Sequence, residues 1–158
     1  MDEEARPATG ADVGRLAELV RQAVAELAVN RGGRVWSRRT ARQEPIEDGL
    51  AADLAGPDRL VLVGTIDGTP IGYAMVVDET LDDGGHLAVV ADIYVEPEAR
   101  GVGVGEALMD QAVAWAEARS CIGIDALALP GDRHTKNFFE TFGLTARAIV
   151  VHRDLRAP

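Results

Sequence analysis

Arg100-Gly101-Val102-Gly103-Val104-Gly105 is the stretch of this 158-residue chain whose residue types and spacing most clearly suit chemistry. Three alternate glycines remove Cβ atoms where the chain turns, so main-chain N–H groups can come close to a ligand. If a helix starts there, the same amides have no internal partner and lie at the positive end of the helix dipole. An anion is the natural occupant. Each hydrogen bond to a charged group contributes about 1.5–3 kcal/mol, so several together can anchor a pyrophosphate. Two familiar phosphate loops do not fit. Gly105 is followed by Glu106, where a P-loop needs Lys and then Ser or Thr, and a dinucleotide fingerprint starting at Gly101 would need glycine at position 106. The pattern that does fit is Arg/Gln-x-x-Gly-x-Gly/Ala.

The elements around the loop must hold it at a strand-to-helix junction. Leu87 to Val95 reads as a strand, broken by Glu96-Pro97-Glu98-Ala99. Gly103 to Arg119 reads as a helix with Val104, Leu108, Ala112, Trp115 and Ala116 on one face. Upstream, an extended piece at residues 4–8 leads to Thr9 and Asp12, a capping pair for an amphipathic helix over 12–28. The Arg-rich stretch from Asn30 to Gln43 gives no clear signal, and residues 50–54 suggest a short helix ended by Gly56-Pro57. Leu60–Val63 and Ile71–Val77 flank Asp67-Gly68-Thr69-Pro70 as a hairpin. After the loop helix come a strand over 122–129, a short helix from Asp132 to Phe142 ended by Gly143, and a last strand over 145–152. The order β-α-α-β-β-β-α-β-α-β is that of a mixed α/β sheet with helices on its faces.

Composition narrows the classes further. The length suits one domain, residues 1–158. A formal charge of −10 excludes nucleic acid and anionic membrane as partners, because both demand a basic surface. No apolar run is long enough to span a bilayer, and Met1-Asp2-Glu3-Glu4 is unlike a secretory leader, so a cytoplasmic location is expected. The single Cys121 cannot form an internal disulfide and reads as an inert thiol. No histidine or acidic pair has metal-ligand spacing, and no metal is expected.

With these elements in place, the chain resembles the GNAT superfamily of N-acetyltransferases over nearly its whole length. Arg6 to Asp12 looks like the family's opening strand and helix start, Ile71-Gly72-Tyr73 like its third strand, and Ile93-Tyr94-Val95-Glu96-Pro97 like the approach to its CoA loop. Phe138-Phe139-Glu140-Thr141-Phe142-Gly143-Leu144 is similar to a second family segment. The resemblance implies a mixed, mostly antiparallel sheet of six to seven strands, flanked by helices on both faces. It implies acetyl-CoA as acyl donor, an amine-bearing acceptor, and direct transfer to a primary amine. By the same resemblance, the main chain of Ile93, Tyr94 and Val95 pairs with pantetheine, and Gly101, Val102, Gly103, Val104, Gly105 and Glu106 cradle the pyrophosphate. Arg100 either reaches a phosphate oxygen or braces the loop. Asp132 stands near the family's asparagine position, and Phe139, with Phe138 and Phe142, either packs its helix or walls the pantetheine channel.

Acyl transfer to an amine poses a definite problem, since a lysine-like amine is neutral in only about 4 molecules per 10,000 at pH 7. Asp92 is the candidate base, or the group that binds the acceptor's cation, and strand alternation puts it on the same face as Tyr94. A surface-paired aspartate is the competing reading, and His86 is a second candidate base. A main-chain N–H near Val95 is the expected oxyanion donor. Where the family often places a tyrosine acid, this chain has Phe139, which leaves Tyr94, Tyr73, water or an unassisted thiolate departure. A non-catalytic acyl-CoA-binding module is the alternative consistent with that substitution. The acceptor signals conflict: Arg31, Arg34, Arg38, Arg39 and Arg42 around Trp36 suggest a carboxylate, whereas Asp78, Glu79, Asp82 and Asp83 suggest a polyamine. A homodimer through the last strand or an exposed helix is compatible with the sequence, and no residue pattern specifies it.

Overall fold

The computed structural model describes residues 1–156; residues 157–158, at the end of the expected domain, lie outside the described residues. Five strands form one sheet in the order β1-β2-β3-β4-β5, with β1 Glu3–Pro7, β2 Arg59–Ile66, β3 Thr69–Thr80, β4 His86–Val95 and β5 Ile124–Ala126. The first four pair antiparallel, and β5 runs parallel to β4. Five helices accompany them: α1 Val13–Ala28, α2 Gly33–Arg39, α3 Ile46–Ala55, α4 Val104–Ala118 and α5 Arg133–Thr141.

Local chemistry accounts for most of these boundaries. The Asp12 carboxylate accepts the Thr9 N–H at 2.8 Å, completing the capping pair, and a two-pronged Arg6 contact at 2.8 Å draws its pKa down to about 2. Asp67 and Gly68 both have positive φ, 49° and 81°, which a two-residue turn between β2 and β3 requires. The helical period of α1 buries Leu16, Ala17, Leu19, Val20 and Ala23. These pack with α3 residues Ile46 and Leu50 against Val61, Val63, Tyr73, Met75 and Tyr94 on one face of the sheet. On the other face, α4 and α5 bring Val104, Leu108, Met109, Ala112 and Phe139 against Leu62, Ala74, Val76, Ala88 and Val90. Gly64 admits α4 to that face: a Cβ there would sit 2.5 Å from Val104.

Two expectations for the sheet are corrected. The strand expected over 122–129 is reduced to Ile124–Ala126, and 145–152 forms no strand, so the sheet has five strands in place of six or seven. Residues 145–152 have strong β propensity, but a strand also needs a ladder partner and a surface to cover. Here Arg147 pairs with Asp125, while Ile149, Val150 and Val151 are 85–90% exposed. The unread stretch after α1 contains α2, which carries Trp36.

Two features of β4 decide where the chemistry can lie. Its pairing with β5 covers only Ala88, Val89 and Val90, so among the described residues the strand from Ala91 onward has no neighbour on that side. Opposite β3, Met75 faces Asp92 and Val76 faces Val90, which leaves Ala91 as an extra residue in a β-bulge.

Candidate active site

Glu96 donates its N–H to Ile71 at 2.9 Å, which fixes the parity of the β3–β4 ladder. Alternation then turns the N–H and C=O of Ile93 and Val95 away from β3, toward the uncovered edge. That edge borders a cavity of about 650 Å³, lined by Ile93, Tyr94 and Val95 and by Glu26 and Leu27 of α1. Arg100, Gly101, Gly105 and Glu106 supply its loop side, and Asp132, His134, Thr135 and Phe138 supply its α5 side.

The loop does what its glycines suggest, with the work divided among them. Gly101 and Gly103 have φ of 81° and 105°, a region that other residues rarely adopt. Gly101 opens to the cavity, whereas a Cβ on Gly103 would meet the Glu3 side chain at 3.3 Å, away from it. Gly105 lets Phe138 lie against the first turn of α4, since a Cβ there would be 3.2 Å from the ring. The first intrahelical bond of α4 runs from Ala107 to Gly103, and among the described residues no acceptor engages the main-chain N–H groups of 101–106. Val102 and Val104 face the core and contribute only main chain to this junction.

Arg100 braces. Its Nε donates to the Val95 carbonyl at 2.8 Å, and its two Nη groups donate to Glu26 at 2.9 Å each. The Arg100 hydrogen bonds hold the Glu26 carboxyl below its usual range. The guanidinium also lies 5.4 Å from the centre of the Tyr94 ring. Burial, then the charge of the neighbouring Glu26, pushes the Tyr94 phenol up to about 12. Asp132 caps α5 by accepting the Thr135 N–H at 3.3 Å. Phe139 is buried in the core beneath α4 and does not reach the cavity; Phe138, one residue earlier, takes the wall. Basic groups on the lining are few against Glu26, Glu106 and Asp132, so attraction of an anion here rests on the main chain.

On the far side of β4 lies a second cavity, of about 350 Å³, lined by Trp36, Thr40, Ala41, Arg42, Gln43, Gly49, Asp53, Arg59, Met75, Ala91 and Asp92. The Asp92 carboxylate accepts a 2.7 Å hydrogen bond from the Tyr73 hydroxyl. Burial pushes the Asp92 carboxyl up to about 6, against the opposing pulls of the Tyr73 hydrogen bond and the Arg42 charge. Tyr73, Asp92 and Tyr94 share one face, as alternation implies, with the two tyrosine rings 6.2 Å apart. Sequence spacing does not reveal that Tyr73 holds Asp92, nor that Arg42, Asp53 and Arg59 complete this cavity.

The other titratable candidates lie elsewhere. His86, at the opposite end of β4, binds the buried Asp78 at 2.8 Å, and Asp78 also accepts from Arg119 at 2.7 Å. Burial raises the pKa of the half-buried Cys121 thiol, as suits an unreactive group.

Two cavities that border successive residues of β4, with unsatisfied amides in one and a carboxyl of raised pKa in the other, suit transfer of a group between an anion-anchored donor and a basic acceptor. Among curated protein sequences none matches the chain significantly. Several solved structures share its fold. AAC(6')-Iy, in complex with the bisubstrate analogue CoA-S-monomethyl-acetylneamine, is 16% identical with a TM-score of 0.76, over 99% of this chain and 100% of that one. A ribosomal-protein-alanine N-acetyltransferase from Brucella melitensis biovar Abortus 2308 is 20% identical, TM-score 0.71, over 97% and 99%. A predicted acetyltransferase with acetyl-CoA from Clostridium acetobutylicum is 15% identical, TM-score 0.73, over 98% and 97%. The family model described as the acetyltransferase (GNAT) family matches residues 18–144, and the chain belongs to that family.

Proposed function

We propose that the chain is a single-domain, cytoplasmic N-acetyltransferase that moves an acetyl group from acetyl-CoA directly to a primary amine. The observation that carries this reading is the pair of cavities on either side of β4, with free main-chain amides in one and Asp92 in the other. Acetyl-CoA is a substrate here, and the thioester supplies an activated acetyl group. The main chain of residues 101–106 would hold its pyrophosphate, with Arg100 fixing the loop rather than touching phosphate. The outward main-chain edge at Ile93 and Val95 would receive the pantetheine, and Tyr94, Phe138 and Asp132 would form the walls.

On the acceptor side, Asp92 takes the proton that the ammonium must lose. A carboxyl of pKa about 6 is ionised at pH 7 and closer to the amine than an ordinary aspartate, which favours the transfer. The Val95 N–H, turned to the open edge, is the donor available to the developing oxyanion. Tyr94 is the phenol bordering the donor cavity, and it is a reluctant acid. Moving its proton, held at about 12, to a thiolate of pKa about 8.5 is uphill by about 5 kcal/mol. Unassisted departure of the thiolate is the easier route, and the absence of a hydroxyl at Phe139 then costs little.

Weak acid chemistry on the donor side also favours a second reading, a non-catalytic acyl-CoA-binding module. Calorimetric titration with acetyl-CoA, followed by thiol release with a panel of amines on the same sample, separates the two. Saturable binding with amine-dependent thiol release is expected. Binding with no release across the panel would leave only the binding module, and no binding would remove both.

A further inference from the structure

The sequence offers two contradictory hints about the acceptor, and the fold separates them. Asp78, Glu79, Asp82 and Asp83 line neither cavity, and Asp78 is already bound by His86 and Arg119. Of the arginine-rich stretch, Arg34 is paired with Asp154, whereas Arg42 and Trp36 line the smaller cavity beside Arg59. Arg42 and Arg59 share one carboxylate, Asp53, so that end of the cavity has one positive charge in excess. Arg42 commits Nη2 to Asp53 and to the Met75 sulfur, at 2.9 Å from the latter. Among the described residues its Nη1 and Nε have no acceptor. Gly49 makes room for that side chain: a Cβ at position 49 would lie 2.6 Å from Arg42 Nη1. Glycine inside a helix is unfavourable, and this one is explained by the guanidinium it admits. Asp92, on the strand opposite Met75, accepts from a neutral hydroxyl and feels the Arg42 charge, but among the described residues it forms no salt bridge, which leaves its carboxylate able to take a cation.

We propose that the acceptor is a small aminocarboxylate, an amino acid or a compound of similar size, with its ammonium on Asp92, its carboxylate on Arg42 and Arg59, and an apolar side chain against Trp36 and Met75. This rests on the transferase reading above. A volume of about 350 Å³ is at the small end for ligand cavities and suits a single residue-sized molecule. Transfer forms the amide C–N bond as the thioester C–S bond breaks, with the electron pair leaving on sulfur. The ammonium gives up two protons in all, one through Asp92 before attack and one to solvent or the departing sulfur afterwards.

The test compares phenylalanine and leucine with their amides, with phenethylamine and isoamylamine, and with spermidine, measuring kcat/KM by thiol release and product mass. The free acids are expected to exceed their amides and decarboxylated counterparts by about tenfold to a hundredfold, through KM more than kcat. Arg42→Gln should erase that preference, read as the ratio of kcat/KM for each free acid to that for its decarboxylated counterpart, with acetyl-CoA affinity unchanged. Arg59→Gln, on a side chain 45% exposed, should reduce it with little risk to folding. Equal or faster turnover of the amides, the simple amines or spermidine would overturn the aminocarboxylate assignment and leave the transferase reading standing. Turnover of no amine by protein that binds acetyl-CoA would overturn both.

Discussion

The two cavities flanking β4 recognise their occupants by different means. The larger is built around main chain: amides of residues 101–106 and the open edge at Ile93 and Val95, with side chains mostly supplying walls. The smaller is built around side chains from α2, α3, β2, β3 and β4 that converge on one space. Main-chain recognition suits a ligand that stays the same, because amides are present whatever the residue and need only glycine to expose them. Side-chain recognition suits a ligand that varies, because single substitutions at Trp36, Arg42 or Arg59 can retune it without disturbing the loop. On the proposed reading the donor side is therefore the conservative half of the site, and the acceptor side the adaptable one.

The largest effect should come from stopping the chemistry on the acceptor side alone. Asp92→Asn is expected to lower kcat/KM at pH 7 by about a hundredfold or more. The deficit should narrow by about tenfold per pH unit as the free amine becomes abundant, with acetyl-CoA affinity unchanged. A wild-type pH profile in the variant would mark Asp92 as structural. The same variant has a stability signature. A carboxyl raised from 3.8 to about 6 binds its proton more tightly in the folded state, so it stabilises most below pH 4 and that contribution is lost as pH rises through 6. Above pH 6 Asp92→Asn should therefore melt higher than wild type, and near pH 4 the two should agree.

Breaking the donor side should leave the acceptor side intact. Gly103→Val is expected to weaken acetyl-CoA binding at least tenfold, read as lost thermal protection, because a β-branched residue cannot hold a φ of 105° and the amides would reorient. The added side chain would meet Glu3 and not the cavity, so the effect should come from loop geometry rather than from filling the ligand's space. Gly101→Ala, with open space around its Cβ, should do less.

Two smaller changes sharpen the contrast. Tyr73→Phe removes the hydroxyl that steadies the Asp92 carboxylate, and the rising limb of the kcat/KM profile should move up from about 6 by about one pH unit, with donor affinity unaltered. Glu106→Gln takes one negative charge from the donor wall and should tighten acetyl-CoA two- to fivefold by calorimetry, with no change in the pH profile. An effect of either variant on the opposite cavity would show the two halves to be coupled.

The same difference explains what could be read from the chain before folding. The loop, the β2–β3 hairpin and the α1 cap are local, and Gly101 to Gly105, Asp67-Gly68 and Thr9 with Asp12 state them within a few residues. Arg42, Asp53, Arg59, Met75 and Asp92 span fifty residues and meet only through the sheet register, which no local pattern encodes. Tyr73 reaches Asp92 because the two lie on adjacent strands, two register positions apart on one face, and not because of any motif. Phe138 and Phe139 differ by one helical step, 100°, and sequence alone could not say which faced the cavity. Residues 145–152 show the opposite failure: strong local preference with no ladder to join.

The surplus residue at Ala91 has a genetic consequence. Val90 turns toward α4, while Asp92, two positions later, turns toward α1; unbroken alternation would have set both on the same side. Which compartment receives the acid is thus decided by the bulge, which absorbs Ala91 without turning the strand over. Losing the codon for position 91 would make Val90 and Asp92 adjacent, and plain alternation would then keep them on opposite sides of the sheet. Losing a codon elsewhere in the strand, such as that for Val89, would instead turn over the side chains on one side of the gap.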